Sequence, residues 1–339
     1  MPVSPHAKNA PKTQSRKRKS VVIGYRTSRG TMFKGKIEAF LRSPRALKYA
    51  GKVQLIFTSP PFPLNRKKAY GNKQGEEFSR WLADLAPELR KLLTPTGSIV
   101  MEMGNAWEPK RPVMSVLALE SLLQFLRKGE LQLAQQFICY NPARLPSPAQ
   151  WVNVDRIRLK DAYTHVWWMA ATDRPYADNR KVLTPYSKSM LNLLRTGKYN
   201  SGARPSEHHI GKKSFLRRNK GAIPANVLTI TNTGTGDAYQ NYCRANGIKP
   251  HPARMPQALP EFFIKLLTKK GQLVMDPFGG SNTTGAVAQK LKRRWIAVEA
   301  EEEYVKSSRS RFMRGKAKAD DPKRTAKGPR GSRGGAVHP

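Results

Sequence analysis

Apolar residues fall along this chain in two rhythms, short unbroken runs and helical repeats, and the two take turns. The run KVQLIF, which follows Gly51, predicts a short strand buried on both faces. It leads directly into Thr58-Ser59-Pro60-Pro61-Phe62, where two prolines exclude a helix and leave an exposed loop past the strand end. From Glu76 to Leu93, Phe78, Trp81, Leu82, Leu85, Leu89 and Leu92 recur at helical spacing, with a kink expected at Pro87. Gly97 precedes a second strand, SIVMEM; Val113 to Leu126 predicts a helix; QQFICY and residues 163–170 predict two further strands. Trp167 and Trp168 point to opposite faces of the last one, so at least one belongs to the core.

Residues 174–224 break this rhythm. They carry twelve Lys/Arg against Asp178 and Glu207, with scattered Pro, Gly, Tyr and Asn, and predict an inserted, loop-rich basic region. The alternation resumes at Pro260 with a helix (EFFIKLL), a strand (QLVM), the turn DPFGGSNTTG, a helix to Leu291 and the strand WIAV ending at Glu299. Strands alternating with helices argue for an α/β fold around a largely parallel sheet.

Charge changes the picture more than length does. The 339 residues hold 62 Lys/Arg and 23 Asp/Glu, a formal net charge of +39. Such an excess disfavours an ordinary neutral metabolic enzyme and asks for a polyanion, either nucleic acid or an anionic membrane surface. Residues 1–20 hold six cations and no acid, and the stretch from Lys306 onward is Gly-rich and net +9, so residues 1–20 and 313–339 read as disordered basic arms. The remaining body is still strongly basic. No run approaches the ~18 consecutive apolar residues of a membrane span. Two cysteines, Cys139 and Cys243, form no redox or zinc spacing. A soluble chain in a reducing cytoplasm, with no metal and no membrane, is the expectation.

Two motifs carry chemistry. In DPFGGSNTTG a strand ends at Met275, Gly279, Gly280 and Gly285 permit a tight turn, and a helix opens near Asn282. Backbone N–H groups in such a turn face a cofactor. Glu299 stands 23 residues after Asp276, near the ~20-residue interval at which an acid meets ribose hydroxyls in dinucleotide folds. Neither G-x-G-x-x-G nor a phosphate loop is present, so an adenosine ligand without pyrophosphate, S-adenosylmethionine, fits better than NAD or ATP. The second motif, TSPPF, is either a rigid corner or an amine-activating loop. An exocyclic base amine delocalises its lone pair into the ring; hydrogen bonds to Ser59 Oγ and the Pro60 carbonyl would favour a tetrahedral nitrogen. Phe62 would stack on a base drawn out of its duplex.

TSPPF followed much later by DPFGGSNTTG, RRWIAVE and a Tyr resembles the amino-group DNA methyltransferases whose catalytic motif precedes the cofactor motif. KKAYGN, NPARLPSPAQWVNVDRIRLKDAYTHVWWM, RPSEHHI, GAIPANVL and HPARMPQALPEFFI resemble the cytosine-N4-specific members, and the likeness covers most of residues 50–312. It implies a seven-stranded S-adenosylmethionine-dependent, Rossmann-like sheet in permuted motif order, acting on a flipped cytosine in double-stranded DNA. By matching position, Ser59, Pro60, Pro61 and Phe62 would form the catalytic loop. Asp276, Pro277, Phe278, Gly280, Ser281, Asn282 and Thr283 would form the cofactor turn, Glu299 would take the ribose, and Pro256 and Ala258 would touch the methionine end. The implied organisation is a catalytic half at 21–173, a target-recognition region at 174–250 and a cofactor half at 251–312. Arg195, Arg204, Arg217 and Arg218 are the candidate DNA contacts. A cognate restriction endonuclease is a possible partner.

One departure stands out. The resemblance implies an acid near the adenine, and Lys36 occupies that place, with Glu38 two residues on. Adenine-N6 methylation is the alternative activity, disfavoured because Ser59 stands where adenine enzymes more often carry Asp or Asn. A non-catalytic DNA-binding protein on a methyltransferase scaffold is the further alternative. Cys139, in the apolar run FICY, reads as a buried inert thiol rather than a covalent nucleophile.

Overall fold

The computed structural model describes residues 21–62, 75–232 and 237–313. Both expected basic arms, apart from Met313, and the KKAYGN segment lie outside these residues.

The chain opens with a hairpin, β1 (Val22–Arg26) and β2 (Gly30–Lys34), and two short helices, α1 (Ile37–Leu41) and α2 (Pro44–Leu47). The expected elements follow: β3 (Val53–Thr58), α3 (Gly75–Leu92), β4 (Leu93–Gly104), α4 (Leu117–Gly129), β5 (Gln132–Tyr140) and β6 (Tyr163–Ala170). Pro87 sits inside a continuous α3. Helix α4 begins four residues later than the apolar spacing suggests, because Met114 is drawn into a bridge with Trp107.

The inserted region carries α5 (Lys188–Thr196) and a two-stranded ribbon of β7 (Gly202–Ala203) and β8 (His209–Ile210). No residue of α5 is buried. With β9 (Val227–Thr229) the chain rejoins the main sheet. Helix α6 (Ala238–Ala245) is anchored to the C-terminal part of the fold, since Arg311 pairs with Asp237 at its N-cap. Then come α7 (Ala258–Leu267), β10 (Leu273–Asp276), α8 (Thr283–Lys290), β11 (Arg294–Glu299) and α9 (Glu302–Ser308).

The sheet runs β1-β2-β11-β10-β3-β4-β6-β5-β9. Strands β2, β11, β10, β3 and β4 are parallel, and β6 runs antiparallel to both of its neighbours, β4 and β5. The seven strands from β2 to β5 match the expected sheet. β1 and β9 extend it at either edge, so the count is nine rather than seven.

All six residues of β3 are buried. Helices α3 and α4 cover one face of the sheet, where Phe78, Leu82, Leu89 and Phe125 pack on Ile56, Ile99 and Trp167. On the other face α7 and α8 bring Leu259, Phe263, Ile264 and Val287 against Leu55, Phe57 and Val274. A strand covered on both faces must be apolar throughout, which is why the central strands appear in the sequence as unbroken runs. Trp167 is fully buried, while Trp168 is half-buried and donates from Nε1 to Ser98 Oγ at 2.8 Å.

Candidate active site

Strands β3, β4, β10 and β11 all end at the same edge of the sheet, and a cavity of about 680 Å³ opens there. Ligands of open α/β sheets bind at this edge because the loops leaving parallel strands converge on it. Ser59, Pro60, Pro61 and Phe62, directly after β3, all line the cavity. Phe62 meets Phe78 edge-on, with 5.6 Å between ring centroids.

The turn after β10 forms the adjoining wall. Asp276, Pro277, Phe278, Gly280, Ser281 and Thr283 line it, as do Glu299 at the end of β11 and Pro256 before α7. Asp276 is 5% exposed and takes three hydrogen bonds: from Thr58 Oγ1 (3.0 Å), Phe278 N (3.1 Å) and Thr284 Oγ1 (2.7 Å). It therefore ties the end of β3 to the glycine turn. Burial still dominates and pushes its carboxyl up to about 6. Gly280 has φ +48°, and a Cβ there would lie 3.2 Å from His251 Nε2, so both conformation and space require glycine. Its N–H donates to Glu299 Oε2 at 2.7 Å, and Glu301 N donates to Glu299 Oε1 at 2.8 Å. These bonds fix the carboxylate at the cavity wall, while burial holds its carboxyl above the usual range.

Two of the expected cofactor residues do not reach the cavity. Asn282 is fully buried with φ 55°; its side chain donates to Tyr25 OH at 2.9 Å and accepts from Gly285 N at 3.1 Å, capping α8. Ala258 is exposed at the start of α7, two residues beyond Pro256, and lies outside the cavity lining. Arg195, Arg217 and Arg218 lie exposed and Arg204 half-buried in the inserted region, all outside the cavity lining. Arg195 bonds Asn192, and Arg204 bonds the Asn200 carbonyl.

Further residues complete the lining, of which Glu102 was not singled out by the sequence. Glu102, within β4, accepts a hydrogen bond from Thr164 Oγ1 (3.1 Å) and lines the cavity together with Ser59. Burial raises its carboxyl, and the nearby Arg144 opposes that shift. Cys139 also faces the cavity, but burial and the Glu102 charge push its thiol up to about 11. It stays protonated and is no nucleophile. At the far end Glu38 accepts from Trp81 Nε1 at 2.7 Å, and Trp81 packs on Phe278 at 5.6 Å between centroids. Lys36 stands exposed on the same rim. His251 crosses the Tyr304 ring at 4.5 Å, and both line the wall near Gly280.

The residues present fit S-adenosylmethionine. The volume suits a nucleoside-sized ligand, an anchored carboxylate (Glu299) faces the space for diol hydroxyls, and the catalytic loop opens into the same cavity.

A seven-strand core with one reversed strand, an SPPF loop after its middle strand and a glycine turn after the neighbouring one define the S-adenosylmethionine-dependent methyltransferase class. Within it the chain belongs to the DNA methylase family, whose model matches residues 53–310. It is 43% identical to the type II methyltransferase M.PvuII of Proteus hauseri over 292 residues, 85% of each chain. It is 23% identical to the type II methyltransferase M.BglII of Bacillus subtilis over 259 residues, covering 75% of this chain and 61% of that one. Among solved structures, the cytosine-N4-specific PvuII DNA methyltransferase superposes with a TM-score of 0.69 at 37% identity, covering 87% of this chain and 90% of that one. The complex of M1.HpyAVI with its S-adenosylmethionine ligand shares the fold, with a TM-score of 0.50 at 16% identity, covering 84% of this chain and all of the other.

Proposed function

We propose that this protein transfers a methyl group from S-adenosylmethionine to the exocyclic N4 of a cytosine flipped out of double-stranded DNA. The observation that carries this reading is the cavity that Ser59, Pro60 and Glu102 share with the Asp276–Glu299 turn. The likeness to a cytosine-N4-specific relative over most of both chains supports the choice of atom.

When bound, the donor supplies a methyl group on a positively charged sulfur. The chain's residues prepare the acceptor. The Pro60 carbonyl, held outward by a ring that cannot join a ladder, accepts one amine hydrogen. Ser59 Oγ accepts the other while its own hydrogen is given to Glu102. Both bonds favour a tetrahedral nitrogen whose lone pair is free for in-line attack. The nitrogen that would accept this methyl group would then carry a positive charge and one proton in excess. The excess proton leaves along Ser59 toward Glu102. A carboxylate whose proton affinity burial has raised suits that role better than an exposed one. Phe62 stacks on the cytosine ring, and Glu299 anchors the donor's ribose. The inserted region, with Arg195, Arg204, Arg217 and Arg218, reads or grips the duplex. A restriction endonuclease specific for the same site is the partner this reading implies.

The deciding experiment is mass spectrometry of nucleosides from DNA incubated with the protein and methyl-labelled S-adenosylmethionine. Label in N4-methylcytosine is the expected result. Label in N6-methyladenine would keep the fold and overturn the acceptor. Duplex binding without any transfer would favour a non-catalytic DNA-binding protein.

A further inference from the structure

The end of the sheet opposite the active site holds a second concentration of charge that the methyl-transfer chemistry does not use. Seven of the eight residues around a depression there are cationic: Lys181, Lys265, Lys269, Lys270, Lys290, Lys292 and Arg293. Lys269 and Lys270 follow α7 and precede β10; Lys290 ends α8, and Lys292 and Arg293 precede β11. Strand β11 places Arg293 before its first residue and Glu299 at its last, so its six residues separate this depression from the active site by roughly 20 Å.

Compensation of helix dipoles accounts for one cation in each last turn, Lys265 and Lys290. It does not call for Lys269, Lys270 and Lys292 on the loops between. Lys265 pairs with Glu261, and Lys181 lies 3.9 Å from Asp178. Among the described residues no ion pair is made by Lys269, Lys270, Lys290 or Lys292, all of them exposed. Arg293, by contrast, is built in: it is 6% exposed, and its guanidinium holds Thr268 Oγ1 (2.9 Å), the Thr268 carbonyl (2.9 Å) and the Leu291 carbonyl (2.7 Å). It locks together the two loops that carry Lys269, Lys270 and Lys292, of which Lys269 also lies over the Tyr176 ring at 5.1 Å. Like charges kept this close without acids destabilise the chain unless a polyanion neutralises them.

We propose that this pole is a second duplex-binding site, which grips the phosphate backbone of a DNA segment other than the one being methylated. It contains only point-charge donors and no groups aimed at base edges, so it binds without sequence preference. One protein thereby holds two duplex segments at opposite ends of its sheet. The proposal takes its ligand from the DNA methylase assignment.

The test compares the full chain with K269Q/K270Q/K290Q/K292Q and with a control that loses equal charge from α3, α4 and the loop before α4, R80Q/K110Q/R127Q/K128Q. Sedimentation with a short non-specific duplex measures how many duplexes each protein binds, and labelled methyl transfer to plasmid DNA measures turnover. The full chain and the control should carry two duplexes. The pole variant should carry one, its affinity for the second falling at least about tenfold and the salt slope of that binding by roughly 3 to 4. Methyl transfer by the pole variant should stay within about twofold of the full chain, a comparison that separates this site from the catalytic cleft. Binding of two duplexes by the pole variant, equal weakening in the control, or one duplex on the full chain would each overturn the proposal. Thermal unfolding of the pole variant at the temperature of the full chain excludes misfolding as the cause of lost binding.

Discussion

In the proposed mechanism Ser59 and Glu102 act as a pair, and each substitution tests a different half of it. Ser59→Ala should lower turnover by about 100-fold or more while leaving binding of duplex and donor nearly unchanged, as read from kcat against separate binding titrations. Because burial raises the Glu102 carboxyl, protonation should remove the Ser59 acceptor as the pH falls. Turnover should therefore decline on the acid side, and Glu102→Gln should abolish that decline while lowering the plateau; an unchanged pH–rate profile would remove Glu102 from the mechanism. Asp276 makes a prediction about stability rather than rate. Its folded pKa, about 6, lies above the ordinary 3.8, so the folded state holds the proton more tightly. Its contribution is thus fully present below pH 4 and is lost as pH rises to about 6, an effect of ~3 kcal/mol at most. In Asp276→Asn, with the Thr284 hydroxyl turned to accept, donor-free protein should lose this drift, as denaturant melts at pH 4.5 and 7 would show. Ser59, Asp276 and Glu299 were legible because each stands at or just past the end of an apolar run. Glu102 was not: it lies inside the run SIVMEM, and only the pairing of β4 with β3 and β6 turns it toward Ser59 and Thr164. Asn282 misled for the opposite reason, since its left-handed backbone points the side chain toward Tyr25.

At the level of elements, every strand buried on both faces was visible, as were the helices that cover them. The β1–β2 hairpin was not. Four of the five residues of β1 are exposed and only Met32 and Phe33 of β2 are buried, so neither strand presents an apolar run. β9, with three residues, is too short to carry a period. The hairpin nevertheless extends the sheet through contacts that tolerate no side chain at Gly30, where a Cβ would lie 2.2 Å from Trp295 Cδ2. Trp295 is 1% exposed and stacks on Phe312 at 5.0 Å between centroids, so it has nowhere to go. Gly30→Ala should cost about 1–3 kcal/mol, read from the denaturant midpoint; an unshifted midpoint would mean that β2 does not pack over Trp295 as described.

For the molecule as a whole, the proposed function makes charge the control on how tightly DNA is held and the inserted region the control on where. Affinity for duplex should fall steeply with salt as neutralised phosphates reclaim their counterions. Removing residues 1–20 and 313–339 takes away six cations at one end and a strong net excess at the other. The salt slope should flatten while the methylated sequence stays the same, measured by titrations at several salt concentrations and by mapping the modified sites. A changed site would mean that the arms read bases. Among the described residues no helix is long and apolar enough to cross a membrane, and no group of His, Cys, Asp and Glu side chains is arranged to hold a metal ion.

The pairing of β3 with β10 also has a consequence for synthesis. These strands lie side by side at the centre of the sheet, yet the chain reaches Val53 some 220 residues before Leu273. At about 5–20 residues per second, a ribosome leaves β3 without that neighbour for on the order of 10–40 s. Through that interval the nascent chain carries the Ser59 loop but not the glycine turn, so it cannot modify DNA before translation is nearly complete. It also carries the open edge of a strand whose six residues are all buried in the finished fold, and that edge stays exposed to wrong pairing until the last strands emerge.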